Sequence, residues 1–345
     1  MWREIAVVLS LLLVLTSISS KPLISYYSYD RSVKLNPEII FFKEGANYKA
    51  YKVYYDSING VRVPALLMLP KKGNPPYPCV VFLHGYGGRK EDALNIAEIA
   101  GAEGYAVFSI DAVYHGERKV PGKEMYSPNV TESISAVIQT VVDLRRGVDF
   151  LKTLSYIDGS RIGYLGGSMG GILGSIFIGV EHRIKAAVII VGGGNMTLMI
   201  MTSIHPSVVK IREYMKQHNL TIDELKDVLQ IIDPLNFINN TNIPIQFHLG
   251  RHDKIVPYEA GLQLYEKANQ PKFLYVYDSG HDVPLDIVAI RVLDFFDKYL
   301  KEETWLISRE QFRIIISMLI VLIMCSAIVA MVFYTYRLTK SGRAL

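Results

Sequence analysis

Cysteine is nearly absent from this 345-residue chain, which has only Cys79 and Cys325. Two thiols cannot form a disulfide framework, and no Cys/His spacing of a metal site accompanies them. No disulfide, metal or cofactor is therefore expected, and an apolar core must hold the fold. An excess of one charge is also missing. The formal net charge is +4. Setting aside Arg3, Glu4, Arg337, Lys340 and Arg343 at the two ends leaves residues 21–313 nearly neutral. Nothing there favours a nucleic-acid partner. Internal repeats and low-complexity tracts are absent too, which excludes a solenoid or linker-rich architecture.

Charge is missing altogether from residues 314–336. An uncharged apolar run of that length predicts a transmembrane helix across a hydrocarbon core of about 30 Å. Trp305, Tyr334 and Tyr336 would sit at the interfaces, with 301–313 as a juxtamembrane linker and 337–345 as a basic cytoplasmic tail. At the other end, Arg3 precedes an apolar stretch from Ile5 to Leu15 and the small polar residues Thr16, Ser17, Ser19 and Ser20. That layout predicts a signal peptide over 1–20, with a retained N-terminal anchor as the alternative. Together the two ends imply a single-pass cell-membrane protein with its main domain on the extracytoplasmic side and the membrane as a partner. Sequons at Asn129, Asn195, Asn219 and Asn239 agree with that placement.

Between the ends the pattern is rich. After an N-terminal extension (21–50), Asn59-Gly60 separates two strand-like runs, a hairpin signal. Short apolar strands then follow at 80–83, 106–110, 162–165, 186–191, 245–249 and 273–277. Amphipathic helices alternate with them at about 91–103, 131–155, 169–179, 258–268 and 284–300. Continuous apolar strands separated by helices predict a mostly parallel sheet with helices on both faces, spanning 51–300. Residues 196–240 interrupt the alternation with helical stretches. One of these opens with Thr221 and Glu224 in capping-box spacing. This segment reads as a small helical cap insert.

Gly166-Gly-Ser168-Met-Gly170-Gly lies between a strand and a helix with the spacing of a nucleophile elbow. Glycine fits at Gly166 and Gly170 because the corner brings the residues on either side of the serine together. A serine nucleophile needs a base, and the base needs an orienting acid. In such a sheet, functional groups gather beyond the carboxyl ends of the strands. Asp253 follows the strand ending at 249, and His281 follows the strand ending at 277. The order Ser168, Asp253, His281 is that of an α/β-hydrolase. Asp282 and His252 each adjoin a chosen residue, and neighbouring side chains meet poorly. Choosing Asp278 would leave the Gly250–Asp253 loop without a role. His248 lies within a strand, and His182, His205 and His218 read as surface or cap residues. The oxyanion donors are assigned to the amides of Tyr86 and Met169. His84, Gly85 and Gly87 form the supporting loop, in which His84 acts as a brace.

His84-Gly-Tyr-Gly-Gly88, Gly166–Gly171, Gly250-Arg-His-Asp253 with Val256-Pro257, and Ser279-Gly-His281 resemble the α/β-hydrolase superfamily. They are most similar to its dienelactone hydrolase, acetyl xylan esterase and prolyl-oligopeptidase branch. Asp111-Ala-Val-Tyr-His115-Gly also fits that branch, where this loop is mostly structural. Ser168 departs from the cysteine of dienelactone hydrolases proper, and the chain has no room for a prolyl-oligopeptidase propeller. The resemblance implies a serine hydrolase acting through an acyl-enzyme on a small-molecule ester. Hydrolysis of short peptides is the alternative activity. A catalytically silent binding protein on the same fold is a third reading. Acyl chain length, natural substrate and oligomeric state are not encoded in any recognisable motif. Met196, Leu198, Met199, Ile200 and Met201 could line an acyl pocket or simply pack the cap.

Overall fold

The computed structural model describes residues 21–301 and 311–322, together with 324, 328 and 331. Asn59 and Gly60 take positive φ angles of 56° and 71°. They turn β2 (Tyr48–Asp56) back into β3 (Arg62–Pro70), with which it pairs antiparallel. A further strand, β1 (Glu38–Glu44), pairs with β2 at the sheet edge. Sequence periodicity does not reveal β1, because Ile39-Ile-Phe-Phe42 does not alternate and the whole strand is exposed.

The remaining strands are β4 (Tyr77–Leu83), β5 (Ala106–Ile110), β6 (Ile157–Gly167), β7 (Ile184–Ile190), β8 (Ile245–Gly250) and β9 (Lys272–Tyr277). The nine strands run in the order β1-β2-β3-β5-β4-β6-β7-β8-β9, and the section from β5 to β9 is parallel. Alternate residues divide between two layers. Val80, Val107 and Val188 pack with α1 (Ala93–Ala102) and α8 (Leu285–Leu300). Val81, Phe108 and Ala187 pack with α2 (Val130–Leu151), α3 (Met169–Val180) and α7 (Tyr258–Lys267). Burial on both faces explains why these strands read as unbroken apolar runs.

The insert between β7 and β8 holds α4 (Met196–Thr202), α5 (Pro206–Gln217) and α6 (Ile222–Leu229). Thr221 and Glu224 form the capping box at the start of α6. Asp233 closes the stem of the insert: its two carboxylate oxygens accept from the amides of Asn195 at 2.9 Å and Met196 at 2.8 Å.

The C-terminal expectation is corrected. The residues described there, 311–322, 324, 328 and 331, are helical. Among the described residues no helix is long and apolar enough to cross a membrane. An uncharged run sets hydropathy, but a span also needs about 20 residues in one helix. The transmembrane helix expected at 314–336 is therefore withdrawn, and the membrane as a partner loses the span it rested on. The segments read as signal peptide (1–20) and basic tail (337–345), and residues 302–310 of the linker, lie outside the described residues.

Candidate active site

Ser168 sits on the corner between β6 and α3 with φ 54° and ψ −120°. This is a strained conformation for a residue with a side chain. Its amide donates to Ile190 O at 2.8 Å, and its carbonyl accepts from Ile172 N at 2.9 Å. The flanking glycines are required by contact. A Cβ on Gly166 would lie 2.4 Å from Gly170 O, and one on Gly170 would lie 2.1 Å from Leu83 O. Both obstacles are backbone atoms, so neither site can relax cheaply. Tyr164 Oη donates to Gly170 O at 2.6 Å and pins the corner from below.

His281 Nε2 lies 2.9 Å from Ser168 Oγ, and His281 Nδ1 lies 2.7 Å from Asp253 Oδ2. Asp253 is buried, and its other oxygen accepts from Ile255 N at 2.8 Å and Val256 N at 3.1 Å. The carboxylate is thus fixed in rotation. With Nδ1–H donating to it, the imidazole presents an unprotonated Nε2 to the serine hydroxyl. Backbone bonds from Arg251 N to Tyr277 O and from His252 N to Ser279 O join the two loops. The competing residues pair with each other elsewhere: the His252 ring meets Asp278 at 2.7 Å, with both side chains in solvent.

The loop after β4 runs beside the serine. A Cβ on Gly85 would stand 3.7 Å from Ser168 Cβ, and Gly87 turns the chain at φ +77°. The Tyr86 amide has no hydrogen-bond acceptor among the described residues. Met169 opens α3, so no helical carbonyl can accept from its N–H. Buried His84 lies 2.8 Å from Gly85 O through Nδ1 and accepts from Ala112 N at 3.2 Å through Nε2. Burial holds its pKa below the usual histidine value, so it ties two loops together as a neutral ring. His115 lies 2.9 Å from Val113 O through Nδ1, and burial lowers its pKa likewise.

Sequence reasoning missed several residues at the site. His205 reads as a cap residue, yet its ring meets Tyr86 edge-on at 4.7 Å. Its pKa is lowered first by burial and then by the proximity of His281. The Tyr86 hydroxyl, Glu124 and Ser207 form a cluster: Tyr86 Oη donates to Glu124 Oε2 at 3.0 Å, and Ser207 Oγ donates to Tyr86 Oη at 2.7 Å. This cluster latches α5 onto the loop after β4. Asp111 is a second anchor. It accepts from Lys90 N at 2.8 Å, Glu117 N at 2.9 Å and the buried Lys90 ammonium at 2.9 Å. No local pattern marks His205, Glu124, Ser207 or Lys90, because their partners are distant in sequence, whereas Asp111 lies in the loop that the resemblance marks as structural. A cavity of about 60 Å³ opens at Ser168 under the insert, lined by Met169, Ile172, Met196, Met199 and Ile200. Leu198 is partly buried against the core, and Met201 is exposed.

The acetyl xylan esterase (AXE1) family model matches residues 29–298. The chain therefore belongs to the acetyl xylan esterase family, within the α/β-hydrolase superfamily. It is a hydrolase of the carboxylic-ester class. A curated relative, "Putative esterase YitV" of Bacillus subtilis (strain 168), is 25% identical over 240 residues, which are 65% of this chain and 89% of that protein. The solved acetyl xylan esterase from Paenibacillus sp. R4 superposes with a TM-score of 0.70 at 20% identity, covering 81% of this chain and 92% of that one. Acetyl xylan esterase 1 from Thermoanaerobacterium sp. JW/SL YS485 gives a TM-score of 0.68 at 18% identity, covering 80% and 92%. At these identities the two structures speak for the fold.

Proposed function

We propose that the protein is a serine carboxylesterase in which Ser168, His281 and Asp253 form the catalytic triad. The 2.9 Å and 2.7 Å contacts that link the three side chains carry this reading. His281 Nε2 takes the Ser168 proton as Oγ attacks the ester carbonyl carbon. The oxyanion forms against the amides of Tyr86 and Met169. His281 then returns the proton to the departing alcohol oxygen. Water, activated by the same imidazole, releases the acid. Asp253 stays ionised throughout and stabilises the imidazolium.

The small apolar cavity beside Met169 and Met199 suits a short acyl chain. The acetyl group in the names of the structural relatives fits the same description. The test is labelling by a fluorophosphonate probe together with p-nitrophenyl acetate turnover. Wild-type protein should react with both, and Ser168→Ala should lose the label and about 10⁶-fold in kcat. An unlabelled wild-type protein would sink the assignment. Dipeptide amides, run beside the ester, should turn over far more slowly.

A further inference from the structure

Two cavities meet at Ser168, and His281 tells them apart. The small one contacts Ser168 and Met169 but not His281. The other is a groove of about 830 Å³ between α1 and α8, with both Ser168 and His281 on its wall. A leaving alcohol must receive its proton from His281 Nε2, so it departs on the His281 side. The acyl chain then points the other way, into the small cavity. This reasoning rests on the triad proposed above.

The groove is walled by Phe82, Ile96, Leu165, Val288, Val292 and Phe296. Its mouth adds two large apolar side chains left in solvent, Ile99 at 48% and Leu285 at 69% exposure. Its charged and amide side chains, Asp92, Asn95 and Asp282, are exposed and stand at the opening. Asp92 is already engaged by the Arg89 amide at 3.0 Å. A sugar ring in this groove would leave its hydroxyls without partners, which is costly. An aliphatic or alicyclic chain would bury its surface against the walls.

We propose that the α1–α8 groove is the leaving-group site and that it takes an extended apolar alcohol, so that the preferred substrates are short-chain acid esters of lipophilic alcohols. The groove reads chain length on the alcohol side, and the cavity under the insert limits it on the acyl side.

Two isomeric esters test the assignment, octyl acetate and ethyl octanoate, with methyl acetate and an acetylated xylo-oligosaccharide alongside. Across methyl, butyl and octyl acetate, kcat/KM should rise by up to about fourfold per methylene buried. Octyl acetate should exceed ethyl octanoate by about 100-fold or more. Ile99→Glu and Leu285→Glu replace exposed residues and should still fold. Each should lower the octyl-to-methyl acetate ratio by about tenfold, the loss of a methylene or two of apolar contact. Ile40→Glu, on the far edge strand, should leave that ratio unchanged. A preference for ethyl octanoate or for the sugar acetate, or an unchanged ratio in both groove variants, overturns the groove assignment while the esterase reading stands. Failure to turn over any ester, with no fluorophosphonate label, overturns both.

Discussion

The loops that carry Ser168, Asp253 and His281 and the helical insert at 196–240 line the same site, but different physics positions them. Each of the three loops departs from the carboxyl end of a parallel strand, so the backbone ladder of β6, β8 and β9 sets where it starts. The insert has no strand in the sheet. Asp233 ties its stem, and the Tyr86–Glu124–Ser207 cluster latches α5 across the pocket. The parts that would perform the chemistry are thus held by main-chain geometry. The part that would choose the acyl group is held mainly by side-chain packing against the core and by a few side-chain hydrogen bonds. Substitutions in the loops should therefore abolish rate or fold, whereas substitutions in the insert should shift preference.

The sharpest test of this contrast is Asp253→Asn. It should keep the fold and the ester KM and lower kcat by about 10⁴-fold, because the wrong imidazole tautomer then faces Ser168. A loss below tenfold in steady-state kinetics would place the orienting group elsewhere. Gly170→Ala comes next. Its new Cβ meets Leu83 O, and it should cost about 3 kcal/mol, read in thermal unfolding as a fall in Tm of roughly 5 °C.

The strand that carries the Asp253 loop has its own pH dependence. His248 in β8 stacks on Tyr275 and Tyr277, and burial, with a smaller contribution from Arg291, pushes its pKa down to about 3. Between that value and about 6.5 the unfolded chain binds a proton there that the folded chain refuses. Stability should therefore fall on acidification by about 1.4 kcal/mol per pH unit from this residue. Denaturant melts from pH 6.5 to pH 4 should show a shallower slope in His248→Gln. The smallest effect belongs to the insert. Met199→Ala should enlarge the acyl cavity and raise the hexanoate-to-acetate ratio of kcat/KM by about tenfold. A fall in total activity without a change in that ratio would mean that the insert does not select the acyl chain.

Several features were legible before the fold was known because each is written locally. A serine between glycines at a strand–helix junction permits one corner. Buried parallel strands need unbroken apolar runs. Thr221 and Glu224 announce a helix start. β1 escaped because an exposed edge strand leaves no alternation to read. His205 escaped because its significance lies in a contact with Tyr86 across more than a hundred residues. The span expected at 314–336 found no helix long and apolar enough among the described residues; a charge-free run does not by itself set helix length.

The sequence by itself determined the strand–helix alternation, the serine corner and the order of Ser168, Asp253 and His281, since steric and burial rules act over a few residues. The tertiary structure alone set the distances at which the His281 ring meets Ser168 and Asp253. It also divided the space around Ser168 into a small cavity and a long groove. Those outcomes depend on how β6, β8 and β9 lie side by side and on how α1 and α8 cross one face of the sheet. Such distances join residues 28 and 113 positions apart, and no local pattern encodes them.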